Sequence, residues 1–124
     1  MTTQDVADLL VKSLRAGDYD TIYKDLFSPD IISAEPEGAP WGVAHGLEEL
    51  AKRGEQFQEM VEEIHSSEIS DPIVAENFIA LTMKMKTTFK GSTEIANMDE
   101  VCVYEVKEGK IVKEQFFFPN PPAQ

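Results

Sequence analysis

Val101-Cys102-Val103-Tyr104-Glu105-Val106, then Lys107-Glu108-Gly109-Lys110, then Ile111-Val112-Lys113-Glu114-Gln115-Phe116-Phe117-Phe118 is the stretch whose reading decides the fold. β-Branched and aromatic residues crowd both arms, and a short connection with one glycine joins them. That is the pattern of two antiparallel strands and a tight turn. Side chains alternate across a strand, so Cys102 and Tyr104 lie on the face opposite Val101 and Val103. Both faces are apolar, and both need cover. Helices are expected over one, and more protein or a partner subunit over the other.

Working outward, 124 residues make one domain with a real core, taken as residues 1–124 with an ordered part over about residues 4–119. No apolar run approaches the roughly 20 residues of a membrane span. The first residues, Met1-Thr2-Thr3-Gln4-Asp5, lack the basic start and apolar core of a signal peptide, so a cytoplasmic location is the default. A formal charge of −12 argues against nucleic acid or an anionic membrane as partner, because phosphate-binding surfaces need clustered Lys and Arg. Cys102 is the only cysteine, and His45 and His65 lie far apart without a ligand pattern. Neither a metal site nor a cofactor is expected.

Val6, Leu9, Leu10 and Leu14 recur at helical spacing behind Thr2 or Thr3, and Gly17 supplies a stop, which predicts a helix over residues 4–16. Asp18 caps a second short segment carrying Ile22, Tyr23, Leu26 and Phe27, ended by Ser28-Pro29. Residues 30–35 read as a strand, and residues 36–40, with two prolines and a glycine, as a loop. Leu47, Leu50, Ala51, Phe57, Val61 and Ile64 then follow helical spacing and predict the longest helix of the chain, with Arg53 among the residues of its solvated side. Strands are expected over residues 66–71, 74–89, 94–106 and 110–118. Helices gathered early and strands running together late predict an α+β fold.

This layout carries Ala16-Gly17-Asp18, Phe27-Ser28-Pro29-Asp30-Ile31, Trp41-Gly42-Val43-Ala44-His45-Gly46 and Glu108-Gly109-Lys110-Ile111-Val112. In their order and spacing these resemble the nuclear transport factor 2-like superfamily, and most of all its SnoaL-like branch, which includes polyketide cyclases and sits beside the ketosteroid isomerases. The resemblance implies a cone-shaped α+β barrel: three helices on a curved, mostly antiparallel sheet, an apolar cavity between them, and a homodimer through the outer sheet face. It also implies a general base at Glu35, in Ser33-Ala34-Glu35-Pro36. The isomerases' oxyanion-stabilising tyrosine and protonated aspartate correspond to Leu10 and Cys102, neither of which can serve in that way.

A carboxyl in an apolar cavity has its charged form disfavoured, so its pKa rises toward neutrality. Glu35 fits that description beside Trp41, Met83, Met85 and Phe116; the alternative is an exposed loop acid next to Glu37. Alternation puts Glu100, Cys102, Tyr104 and Val106 on one face, and Glu114, Phe116 and Phe118 on one face of the partner strand. Tyr104 is a hydrogen-bond donor or a structural phenol. Glu114 is a second acid, a rim residue, or the sign of a one-residue slip that would exchange every inward and outward assignment. His45 transfers protons or holds a carbonyl, or else caps and packs. His65 is read as satisfying helix-terminal carbonyls, and Cys102 as a small buried side chain. Met83 and Met85 suit an adaptable cavity and equally suit plain core packing, with Phe57 completing the candidate lining.

The function expected from these residues is binding of an apolar or aromatic small molecule. If catalysis accompanies it, the reaction is cofactor-independent proton transfer next to a carbonyl (isomerisation, aldol-type cyclisation or dehydration), with Glu35 as base and His45 or Tyr104 holding the oxyanion. The alternative is a non-catalytic ligand-binding or protein-interaction module.

Overall fold

The structure, a computed structural model, describes residues 1–39 and 42–119. Helix α1 spans Thr3–Ala16. Thr2 Oγ1 accepts from the Asp5 N–H and the Asp5 carboxylate accepts from the Thr2 N–H, so the capping residues satisfy donors the first turn cannot. Gly17 at φ 69° ends the helix in the left-handed region that a Cβ disfavours. One short turn, α2 (Tyr19–Thr21), capped by Asp18, runs directly into a π-helical turn over Ile22–Leu26. Helix α3 covers Gly46–Met60.

Seven strands follow the order β2-β1-β7-β6-β5-β3, with β4 beside β5. They are β1 (Phe27–Ala34), β2 (Val43–His45), β3 (Val61–Ile69), β4 (Ile73–Ala75), β5 (Phe78–Phe89), β6 (Ala96–Lys107) and β7 (Lys110–Phe117). All neighbours are antiparallel except β1 with β7, so the sheet is mixed, and it does not close. The class is α+β. At the β6–β7 turn Glu108 (φ 52°) and Gly109 (φ 76°) are both left-handed, the two-residue hairpin geometry whose twist matches the strands it joins.

Helix α1 lies across β3, β4 and β5, and α3 across β1 and β2. Between them one apolar cluster buries Val6, Leu10, Leu26, Ile31, Ile79 and Ile111 among others. Each such side chain contributes about 1.5–3 kcal/mol. No helix among the described residues is long and apolar enough to cross a membrane.

Several boundaries differ from those expected, and the short strand β2 is unexpected. The first strand begins at Phe27 rather than Asp30, and Pro29 is accommodated where the β1–β7 register shifts between Phe27 and Ile32. A two-residue turn at Glu76 and Asn77 divides the expected strand over 74–89 into β4 and β5. The third helix stops at Met60, and Val61 and Ile64 belong to β3. They pair with Phe89 and Thr87, two apart on β5, while being three apart themselves, because β3 is irregular there. A bulged strand thus reproduces the three-residue apolar spacing of a helix.

Candidate functional site

Strand pairing lines up the concave face in transverse rows. Ala44, Ser33, Glu114, Tyr104 and Ile79 form one row across β2, β1, β7, β6 and β5. Phe116, Cys102 and Leu81 form the next, and Glu100 with Met83 the one after. Ile111 and Glu114 lie three apart yet oppose Val106 and Tyr104, two apart, because the register shifts between them. That bulge aims Glu114 inward; a regular β7 starting from buried Ile111 would have turned it to the outer face.

Glu114 is 5% exposed. Ser33 Oγ donates to its Oε1 at 2.7 Å. Arg53 reaches down from α3: its Nη2 donates to Ser33 Oγ, its Nη1 lies 3.5 Å from the Ser33 carbonyl oxygen, and Nη2 stands 3.8 Å from Glu114 Oε1. Ser33 therefore accepts from the guanidinium and passes its own hydrogen to the carboxylate. Burial pushes the Glu114 carboxyl up to about 7, against the lowering pull of the Ser33 hydrogen bond and of Arg53 and with a further push from Glu35. Glu100, half-buried on the same face, is likewise raised to about 7, by burial first and then by Glu35 and Glu114, with Arg53 opposing. Two carboxyls that titrate near neutrality in one field can divide the roles of proton donor and proton acceptor.

The phenols around them are held neutral. Burial, then Cys102 and Glu114, raises Tyr104, which is 2% exposed next to Glu114. The Cys102 thiol is raised by burial and then by Glu100 and Glu114, which removes it as a nucleophile. Tyr19 and Tyr23, from α2 and the π-helical turn, are raised by burial and by Glu114, Tyr19 also by Glu100. Met83, Met85, Met98, Glu100 and Phe116 face inward by register yet stay partly exposed, so solvent reaches this part of the concave face.

The expected residues distribute unevenly. Glu35 follows β1 two positions after Ser33, half-buried, and its charge acts on both Glu100 and Glu114. Tyr104, Cys102, Glu114, Phe116, Met83 and Met85 share the concave face with it. Phe118 is half-buried just past β7. Phe57 packs edge-on against Phe89 at 6.0 Å. Trp41 lies outside the described residues. His45 stands apart: it pairs with exposed Ile32 on the convex side, and its backbone N–H donates to Glu49 Oε1 at 3.1 Å. His65 caps no helix; it sits in β3 with Nδ1 3.0 Å from Glu63 Oε2 and Nε2 2.7 Å from Thr88 Oγ1. Among the described residues no group of three potential ligands could hold a metal ion.

Ser33 and Arg53 escaped the sequence reading. A signal for Arg53 existed, since it follows Leu50 by three and precedes Phe57 by four, within the inward stripe of α3. Two surface hollows, of about 540 Å³ between α1 and the β3–β4 connection and about 270 Å³ beside Lys84 and Asp99, are not lined by the buried acids.

A sequence profile described as a SnoaL-like domain matches residues 1–118. Among solved structures, a candidate SnoaL-like polyketide cyclase from Mesorhizobium loti is 34% identical, with 95% of this chain and 100% of that one covered at a TM-score of 0.88. An NTF2-like protein of unknown function from Burkholderia pseudomallei is 17% identical over 98% and 93% of the two chains, at 0.79. TerC, co-crystallised with polyporic acid, is 15% identical over 96% and 92%, at 0.76. The last two likenesses concern the fold alone. No curated protein matches the sequence.

Proposed function

The chain belongs to the SnoaL-like domain family, and on that premise we propose that it binds an apolar or aromatic small molecule on the concave face and moves a proton on it without a cofactor. The observation that carries this reading is the pair Glu100 and Glu114, two inward carboxyls both raised to about 7, beside Met83 and Phe116. Glu100 is the solvent-reachable member and, with Glu35 beside it, takes the proton from a carbon next to a carbonyl. Burial and Glu35 raise Glu100 most, and Glu114, braced by Ser33 and Arg53, adds to that push. Tyr104, beside Glu114 in the same row, is too deep to touch the ligand. The 34% identity with a candidate polyketide cyclase supports an aromatic, carbonyl-bearing ligand.

Deuterium exchange at the α-carbons of 2-tetralone, followed by NMR at pH 7, tests the reading. The protein accelerates exchange, and Glu100→Gln removes the acceleration while the ketone still shifts the thermal midpoint. Exchange no faster than in buffer, or unchanged in Glu100→Gln, refutes it.

The convex face supports a homodimer in the same proposal. Val43, Phe78, Val101 and Phe117 are 44–51% exposed there, apolar side chains that the sheet of a second copy would cover. Light scattering is expected to give twice the chain mass, and Val101→Lys with Phe117→Lys to give the monomer; a monomeric wild type refutes it.

A further inference from the structure

We propose that Tyr23 is a ligand-contacting residue of this site, its hydroxyl presenting a hydrogen-bond donor beside the buried carboxyls where it lies against Gly54 of α3. The proposal rests on the concave face being the binding surface. Gly54 lies in the middle of α3, where glycine is among the poorest helix formers, and it adopts no left-handed φ that would require it. A Cβ built there meets one group, the Tyr23 hydroxyl, at 3.4 Å. That is contact distance, so a methyl would not clash; it would occupy one of the directions from which a partner approaches the phenol oxygen.

The neighbouring residue fixes where that hydroxyl stands. Arg53, one step before Gly54, turns inward to Ser33 and Glu114, so the Tyr23 hydroxyl is set against the helical turn from which the guanidinium descends. The ring is anchored independently, tilted against Phe27 at 5.7 Å between centroids. Tyr23 lies in the π-helical turn Ile22–Leu26. A π-turn rotates the following side chains relative to an α-helix, a device found frequently at functional sites. Burial raises the phenol first, and then Glu114 and Tyr19 do, while Arg53 lowers it, so part of the shift comes from the acid centre. A neutral phenol at this place suits a ligand oxygen, a carbonyl or hydroxyl, carried on an apolar body that rests on Met83 and Phe116.

The probes are 2-naphthol and 2-methylnaphthalene, alike in shape and different in one oxygen, titrated by fluorescence. Tyr23→Phe keeps the ring on Phe27 and is expected to weaken 2-naphthol on the order of tenfold, leaving 2-methylnaphthalene unchanged. Gly54→Ala is expected to weaken 2-naphthol in the same selective way while the thermal midpoint rises or holds, which a purely structural glycine would not do. Equal affinity of wild type and Tyr23→Phe for 2-naphthol overturns the proposal. A ligand-free measurement stands beside it: absorbance titration at 295 nm, with Tyr23→Phe identifying the phenol, should show its ionisation at lower pH in Glu114→Gln than in wild type. No shift there overturns the placement of the hydroxyl. If neither probe binds wild type yet that shift is seen, the binding function fails and the placement stands.

Discussion

Glu114→Gln exchanges the buried acid for an amide that keeps a carbonyl oxygen for the Ser33 hydrogen bond and loses the charge. In the folded chain the carboxyl titrates at about 7 against an ordinary 4.5. The folded protein therefore holds a proton that the unfolded chain has released between pH 4.5 and 7, so this group makes stability fall as pH rises through that window, with the full cost present above pH 7. A gap of about two and a half pH units at about 1.4 kcal/mol each is roughly 3 kcal/mol. At 5% exposure solvent screens little of it. Urea unfolding at pH 5 and pH 8, at one protein concentration, measures it. Wild type is expected to lose about 3 kcal/mol more than the variant between the two pH values, with similar midpoints at pH 5 and equal m-values. Because Glu114 is one of the charges that raise Glu100, the carboxyl of Glu100 should also titrate lower in the variant. A variant whose stability falls with pH as steeply as wild type would falsify the picture of Glu114 as a costly, desolvated acid.

Arg53→Met takes away the cation that lowers both acids, so Glu100 and Glu114 are expected to titrate above their wild-type positions in carboxyl carbon NMR, with a destabilisation of roughly 3 kcal/mol at pH 8 that shrinks at pH 5, where the acids protonate. Gly109→Val forces a β-branched residue to φ 76° at the hairpin turn and should lower stability by about 1–2 kcal/mol at every pH, measured by the same urea titration.

Alternation along β6 and β7 placed Cys102, Tyr104, Glu114 and Phe116 on one face from the sequence, and the pairing agrees. These are local matters: the turn at Glu108 and Gly109, the capping box at Thr2 and the stop at Gly17 each depend on residues within four positions of one another. Where bulges intervene, the local pattern misleads. Val61 and Ile64 read as helix because a bulged strand returns to the same face after three residues, and which hydrogen bonds are skipped is decided by the partner strand β5. The same holds for the acid centre, since Ser33 meets Glu114 only through the parallel pairing of strands 81 residues apart, and Arg53 reaches them only once α3 lies across β1.

By itself, then, the chain's order of residues determined most element types, the hairpin and which side chains of its arms share a face, because propensity and turn chemistry act over a few residues. Only the tertiary structure decided that Glu114 is braced by Ser33 and Arg53, that His45 turns to the convex side, and that Tyr23 rests against Gly54. Those outcomes follow from register and helix docking, which are settled by groups distant along the chain competing for the same buried space.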